Sequence, residues 1–416
     1  MLPKQRGGGM SGATVVGVDI GTTFIKAVVY DDAMDPLGED KVRTPWRQTE
    51  SGGDADPDAI VASVLQSLEG ALARAGEVKV DALGVTGMGE TGVLADTDDH
   101  PVAPAIAWHD LRGLAQAHVL ARDFRDFAVS SGRVASPLCS VVKWRFLADS
   151  GLDLSRVRRW YGMAEWVVHR LGGRPETEGS LASRTGALDV RNGVINPDVV
   201  AWAGGRPDWF GQVVAAGVSA GRVTAGPPPI RGCVATVAGL DGYASAVGVG
   251  ADAPDVAFLS CGTSGAAIRT VPAWLSDDDM RRSAAMDLTL DRWLDGRQLV
   301  MLGATPCGLI LQPLYDVLGP PVSGDGMATG DGAALDPAAL WRRAFDAVAD
   351  GQMRLVRDIE RIGASVRQVV AAGGWIAQAG LRESLERRIG GRLTVFADEN
   401  TAARGAAMLA HAALEQ

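Results

Sequence analysis

Cysteine is scarce in this chain, and its four copies, Cys139, Cys233, Cys261 and Cys307, lie far apart. No Cys-x-x-Cys spacing occurs, which argues against a zinc ribbon and a disulfide scaffold. A reducing, cytoplasmic compartment is the simplest expectation. Histidine is scarce too: His100, His109, His118, His169 and His411 form no obvious ligand set, and surface or packing roles are the commoner reading. Basic charge is in deficit. Lysine and arginine total 40 against 50 acidic residues, for a net charge of -10. That argues against a nucleic-acid partner. No apolar run approaches the roughly 18 residues of a membrane span, so no membrane partner is expected. The start, MLPKQRGGGMSGA, lacks the apolar segment of a signal peptide. It reads as a disordered tail over 1–13, with Met10 as an alternative start. A Walker A sequence, a dinucleotide fingerprint and a His-Glu-x-x-His motif are all missing.

Glycine, by contrast, is abundant: 53 of 416 residues, about 13% against a usual ~7%. No Gly-X-Y period accompanies it, so the glycines serve tight turns or close backbone approaches. A chain of 416 residues is too long for one simple core, and two domains are expected. Val15 to Tyr30 reads as a hairpin about a Gly-Thr-Thr turn. Residues 57–75 read as an amphipathic helix, with Asp56 as cap, Pro57 in the first turn and Gly76 at the end. A strand follows at 82–85, then helices over 112–128 and 139–149. The stretch 171–232 reads as loops and short elements. A second hairpin, Val256 to Thr270, repeats the first about Gly-Thr-Ser, which suggests a long-period internal duplication. Beyond it, helix 338–363, strand 366–372, helix 377–389, strand 392–396 and helix 401–414 alternate as in an α/β fold.

The paired turns carry the strongest chemical signal. Successive amides at a glycine-rich tip form an anion-binding concavity, and threonine or serine adds hydroxyl donors. One such turn is most often only a hairpin. Two equivalent turns can hold a phosphate chain from both sides. Asp19, two residues before Gly21, is then a candidate Mg²⁺ ligand. Alone it would read as a turn-capping aspartate.

The motifs in order resemble the FGGY carbohydrate kinases, within the actin-like ATPase superfamily. VVGVDIGTTFIKAVVYD looks like the family's first phosphate segment. GVTGMGETGVLAD and PAIAWHDLRG look like its sugar-side segments, and KWRFL and GSLASRTGALDV like its middle landmarks. AGLDGYASAVGVGA is similar to the segment with the catalytic aspartate, and FLSCGTSGAAIRT to the second phosphate segment. VVAAGGWIAQAGLRESL and FADENTAARGAAMLA resemble the adenosine segment and terminal helix. The likeness spans about residues 14 to 412.

What the resemblance implies is specific. Asp241 would be the general base that takes the proton of the attacking hydroxyl; by itself it reads as a turn aspartate. Gly242 follows it where many members have Gln or Asn. Glu90 aligns with the glutamate that contacts the polyol in the glycerol kinase branch, and Gly89 replaces the arginine before it. Trp108 and Asp110 are weaker substrate candidates, tryptophan being most often core. For ATP the implied set is Gly21, Thr22, Thr23, Gly262, Thr263, Ser264, Gly308, Gln312, Gly373, Gly374 and Gln378. Plain turns and solvated helix faces are the competing readings for these glycines and glutamines. Lys26 reads as a solvated strand lysine.

The expected fold is therefore α/β, with two duplicated ribonuclease H-like (actin-like ATPase) domains about a cleft. The expected division is a sugar-binding domain over 14–232 and an ATP-binding domain over 233–416. The expected activity is ATP- and Mg²⁺-dependent phosphorylation of a hydroxyl of a sugar, sugar acid or polyol. The alternative is a catalytically degenerate sugar or nucleotide sensor of the same fold, motivated by Gly89 and Gly242. The oligomeric state is left open, a homodimer included.

Overall fold

The computed structural model describes residues 12–272, 275–321, 336–363 and 365–415. Most of the tail expected over 1–13 lies outside the described residues. The first sheet contains β1 (Val15–Ile20), β2 (Phe24–Tyr30), β3 (Pro36–Arg43), β4 (Ala82–Gly87), β5 (Ser219–Arg222) and β6 (Val234–Leu240), in the order β5-β6-β4-β1-β2-β3. The second contains β7 (Val256–Cys261), β8 (Ser264–Val271), β9 (Leu288–Arg292), β10 (Leu299–Pro306), β11 (Gln368–Ala372) and β12 (Leu393–Val395), in the order β9-β10-β8-β7-β11-β12.

The duplication is explicit in these orders. In each sheet three antiparallel strands form a meander, β1-β2-β3 or β7-β8-β10. Two strands parallel to the first then extend it, β4 and β6 or β11 and β12. Parallel neighbours require crossover connections, and helices provide them. One is α1 (Pro57–Ala75), which has Asp56 as N-cap, Pro57 at its start and Gly76 at its end. Its buried face carries Ile60, Val64, Leu68 and Leu72, each contributing about 1.5–3 kcal/mol by leaving water.

The helix expected over 112–128 is two helices, Leu114–Asp123 and Phe127–Ser131. Phe124 leaves the helical conformation (φ -122°, ψ 80°) and ends the first. Further along are α2 (Ser140–Asp149), α3 (Gly179–Arg184), α4 (Asp241–Gly248), α5 (Gly308–Leu318), α6 (Pro337–Ile362), α7 (Ala379–Ile389) and α8 (Thr401–Ala412).

The change of sheet does not fall at 232/233. Strand β6 pairs in parallel with β4 and so belongs to the first sheet; the second sheet starts only at Val256. The last helix, α8, also returns to the first unit. It packs on β1, β4 and α4 through a face of small residues, Ala402, Ala403, Ala406, Ala407 and Ala410. A side chain at Gly405 would overlap the Ala244 carbonyl of α4, and one at Gly17 would overlap the Ala403 carbonyl. These two glycines let α8 meet α4 and β1 backbone to backbone. Among the described residues, no helix is long and apolar enough to cross a membrane.

Candidate active site

The two Gly-Thr turns are held differently. In the first, Thr44 Oγ1 donates to Gly21 O (2.7 Å), Trp46 Nε1 to Thr22 O (2.7 Å), and Trp108 Nε1 to Thr22 Oγ1 (2.9 Å). Thr23 is exposed. In the second, the first amides of α5 cap the turn: Gly308 N–H donates to Gly262 O and Leu309 N–H to Thr263 O, both at 3.0 Å. Gly308 is required by this approach, since a Cβ there would lie 2.9 Å from both Gly262 O and Thr263 Cα. Gly373 (φ +117°) backs the same turn, where a Cβ would stand 2.8 Å from the Cys261 carbonyl. Gly374 is exposed. Ser264 opens β8 directly after the turn.

Asp19 lies on β1 between Lys26 of β2 and Thr86 of β4. Its Oδ1 is buried without a hydrogen-bond partner among the described residues. Burial and then the charge of Asp241 push its carboxyl up to about 7, against the pull of Lys26. Lys26 Nζ is bonded to Glu399 O (3.3 Å) and is not simply solvated. Asp241 is the first residue of α4 and accepts from the Gly242 amide (2.6 Å). Burial raises its pKa, the Gly242 N–H opposes this, and Glu90 adds to the rise. A Cβ at Gly242 would stand 3.1 Å from Ile268 Cδ1.

Glu90 is 6% exposed and sits in a left-handed backbone turn, φ +56°. Its Oε1 accepts from Arg184 Nε (2.8 Å), from Arg184 Nη2, and at 3.4 Å from Arg133 Nη1. Both arginines also reach Asp291 of β9, Arg133 Nη2 to Oδ1 (3.0 Å) and Arg184 Nη1 to Oδ2 (2.8 Å). Tyr243 OH donates to Asp291 Oδ2 (2.6 Å). These cations hold the Asp291 carboxyl below the usual range despite its burial. The network spans both sheet systems, and Glu90 is its only expected member. Arg184 lay in the noted GSLASRTGALDV stretch. Nothing in the sequence singled out Arg133 or Asp291, because only the fold brings them together.

Other expected residues fare unevenly. Asp110 has no exposed surface. Its Oδ2 accepts from Gly53 N–H, Ser51, Thr49 and Arg112, and its Oδ1 from the Arg112 backbone and Nε. Its side chain is fully engaged in bracing the 49–53 hairpin turn. Trp108 is half-buried and supports the first turn through Thr22. Gln312 is exposed and bonds Asp316 one turn along α5 (2.8 Å), the solvated-face alternative. Gln378 caps α7 through its backbone, and its side chain makes no hydrogen bond among the described residues.

A duplicated strand-and-crossover unit, with a Gly-Thr turn in each half, defines a two-domain α/β fold of the actin-like ATPase type. Residues 14–248 match the FGGY family of carbohydrate kinases, N-terminal domain, and the chain belongs to that family. It is similar to the xylulose kinase of Streptomyces rubiginosus, 29% identical over 262 residues, or 61% of this chain and 53% of that protein. It is 35% identical over 188 residues to the glycerol kinase of Allorhizobium ampelinum, covering 42% of this chain and 38% of the relative. The matches thus span about half the length of these curated relatives or less. Among solved structures, the xylulose kinase from Rhodospirillum rubrum superposes with a TM-score of 0.82 at 21% identity, over 95% of this chain and 89% of that one. The gluconate kinase from Lactobacillus acidophilus does so with a TM-score of 0.82 at 16% identity, over 97% and 89%.

Proposed function

We propose that the chain transfers the γ-phosphate of ATP to a hydroxyl of a sugar, sugar acid or polyol, with Asp241 as general base. The observation that carries this reading is the buried Asp19 carboxylate, whose Oδ1 has no hydrogen-bond partner among the described residues, on the strand that runs into the Gly21–Thr23 turn. Asp241 takes the hydroxyl proton as the new O–P bond forms, while the bond from the γ-phosphorus to the bridging oxygen breaks and ADP leaves. The base must be ionised; burial and Glu90 oppose this, and the Gly242 N–H at the start of α4 favours the charge. Asp19 fits a divalent cation, since its buried, unpartnered Oδ1 is an oxygen ligand awaiting a positive charge. Such an ion would neutralise charge on the phosphates. The Gly21–Thr23 and Gly262–Thr263 turns would hold the phosphate chain. Gly308 and Gly373 would shape the second turn by packing against it, the exposed Gly374 would let the nucleotide approach the backbone, and Glu90 would bind substrate hydroxyls.

The test is Asp241→Asn. The variant should fold and bind ATP, and its sugar-dependent ADP release should fall by at least a thousandfold. Turnover near the wild-type rate would remove Asp241 from this role. Release of ADP at the same rate with and without sugar would point to an ATPase.

A further inference from the structure

Two tryptophans converge on the first Gly-Thr turn, and neither has a part in the phosphoryl-transfer step described above. We propose that Trp108 is a positioning residue for ATP: its indole N–H fixes the Thr22 hydroxyl so that the hydroxyl proton is kept for the phosphate chain. The inference rests on the kinase reading above. It moves Trp108 from the sugar side of the site to the nucleotide side.

An indole offers one donor and no acceptor, whereas a hydroxyl has one proton and two lone pairs. Trp108 Nε1 gives its single N–H to Thr22 Oγ1 (2.9 Å). The indole then has no donor left for a sugar hydroxyl. Thr22 Oγ1, having accepted, still has its own proton to give. Among the described residues nothing accepts that proton.

The carbonyls of the turn are committed as well. Thr44 Oγ1 donates to Gly21 O and Trp46 Nε1 to Thr22 O, both at 2.7 Å, and Thr44 N–H donates to Thr23 O (3.1 Å). Three consecutive carbonyls are thus held by residues 44 and 46. The N–H groups of Thr22 and Thr23 have no acceptor among the described residues. Successive free amides beside a free hydroxyl are the donor set that an anion takes. The turn also lies close to Asp19: a Cβ at Gly21 would stand 3.8 Å from Asp19 Oδ2 and 3.9 Å from Oδ1. A cation on Asp19 and the donors of this turn would then meet the same phosphate chain.

Trp108 is itself anchored. The buried Lys143 of α2 donates to the carbonyls of Ala107 (2.6 Å) and Trp108 (3.0 Å). The His109 ring packs edge-on against both tryptophans, with centroids 5.3 Å from Trp108 and 6.4 Å from Trp46. The two indoles form one collar around Thr22, Trp108 at its hydroxyl and Trp46 at its carbonyl. A hydroxyl set in place before the ligand arrives loses less freedom on binding, which is how preorganisation raises affinity.

The experiment uses the full chain with Mg²⁺. Calorimetry gives the Kd for ATP, and ADP release gives the KM for whichever of xylulose, gluconate and glycerol is turned over fastest. Trp108→Phe keeps an aromatic ring and loses the N–H. Its Kd for ATP should rise roughly fivefold or more, while the KM for the phosphate acceptor stays within about twofold. Thr22→Val removes the hydroxyl. In that background Trp108→Phe should change the Kd for ATP by less than about twofold, because its partner is already gone. Trp46→Phe frees the Thr22 carbonyl and should raise the same Kd roughly threefold. An unchanged Kd for ATP in Trp108→Phe with a raised acceptor KM overturns the inference, puts the indole on the substrate and leaves the kinase reading standing. Effects of Trp108→Phe and Thr22→Val that simply multiply also overturn it. If none of the three compounds elicits ADP release, the kinase reading loses support and the inference is decided by the Kd for ATP alone. A wild-type chain that binds no ATP overturns both.

Discussion

Carboxylates of this chain are pushed in opposite directions, and each direction predicts a different experiment. Burial raises Asp19 to about 7, whereas it remains near 3.9 when unfolded. Over that window the folded state holds the proton more tightly, so stability falls as pH rises from about 4 to 7. Asp19→Asn removes this cost. In the ligand-free protein its stability advantage over wild type should grow by about 1–3 kcal/mol between pH 5 and pH 8. Denaturant titrations at the two pH values measure it, and a constant difference would contradict the raised pKa. Asp110 behaves the other way. The Arg112 guanidinium and the surrounding donors, working against burial, hold its carboxyl at about 2. Asp110→Ala strands Arg112 and the 49–53 loop, at about 3 kcal/mol. The melting temperature should drop by several degrees, while kcat changes less than threefold in the folded fraction. A loss of kcat at full stability would return Asp110 to the substrate site.

At the scale of elements, α8 lies close against α4, with its Gly405 on the α4 backbone. Gly405→Val forces the helices apart and should cost about 3 kcal/mol or more by overpacking. Gly391→Ala, at an exposed glycine with open space around it, should stay within about 0.5 kcal/mol. Urea midpoints of the two variants compare them directly. The elements themselves were largely readable from sequence. Helix α1 carries its cap, its proline and its apolar face within twenty residues, and the hairpins advertise their turns. Local signals of this kind need no tertiary knowledge. The site was readable only where it is local. Asp19, Gly21 and Asp241 sit in compact motifs. Arg133, Arg184 and Asp291 meet only because β9 docks on the first unit, and no spacing rule relates residues 158 positions apart. Asp110 misled for the complementary reason: a motif records that a carboxylate is present, and burial decides whether it faces ligand or loop.

The whole molecule is interlocked in a way that a simple cut into halves ignores. The first sheet needs β6, which lies after residue 232, and its face is covered by α8, which lies after residue 400. A fragment ending at 232 would leave β4 as an unpaired edge on one side and would uncover the apolar face beneath Ala403, Ala407 and Ala410. Exposed strand edges and apolar faces of this kind favour aggregation over folding. Residues 14–232 alone should therefore fail to give a cooperative unfolding transition. Residues 14–248 restore β6 and α4 but still lack α8, so they should bind a hydrophobic dye and melt broadly. Adding a peptide that spans 398–415 to the second fragment should sharpen its transition, because α8 buries backbone and alanine against β1 and α4. A cooperative, dye-free 14–232 fragment would show that the first unit is complete without these two elements. It would also imply that the two halves can move as separate bodies, whereas the bonds of β9 to Gly132 and Ser183, with α8 under β1, tie them at two places.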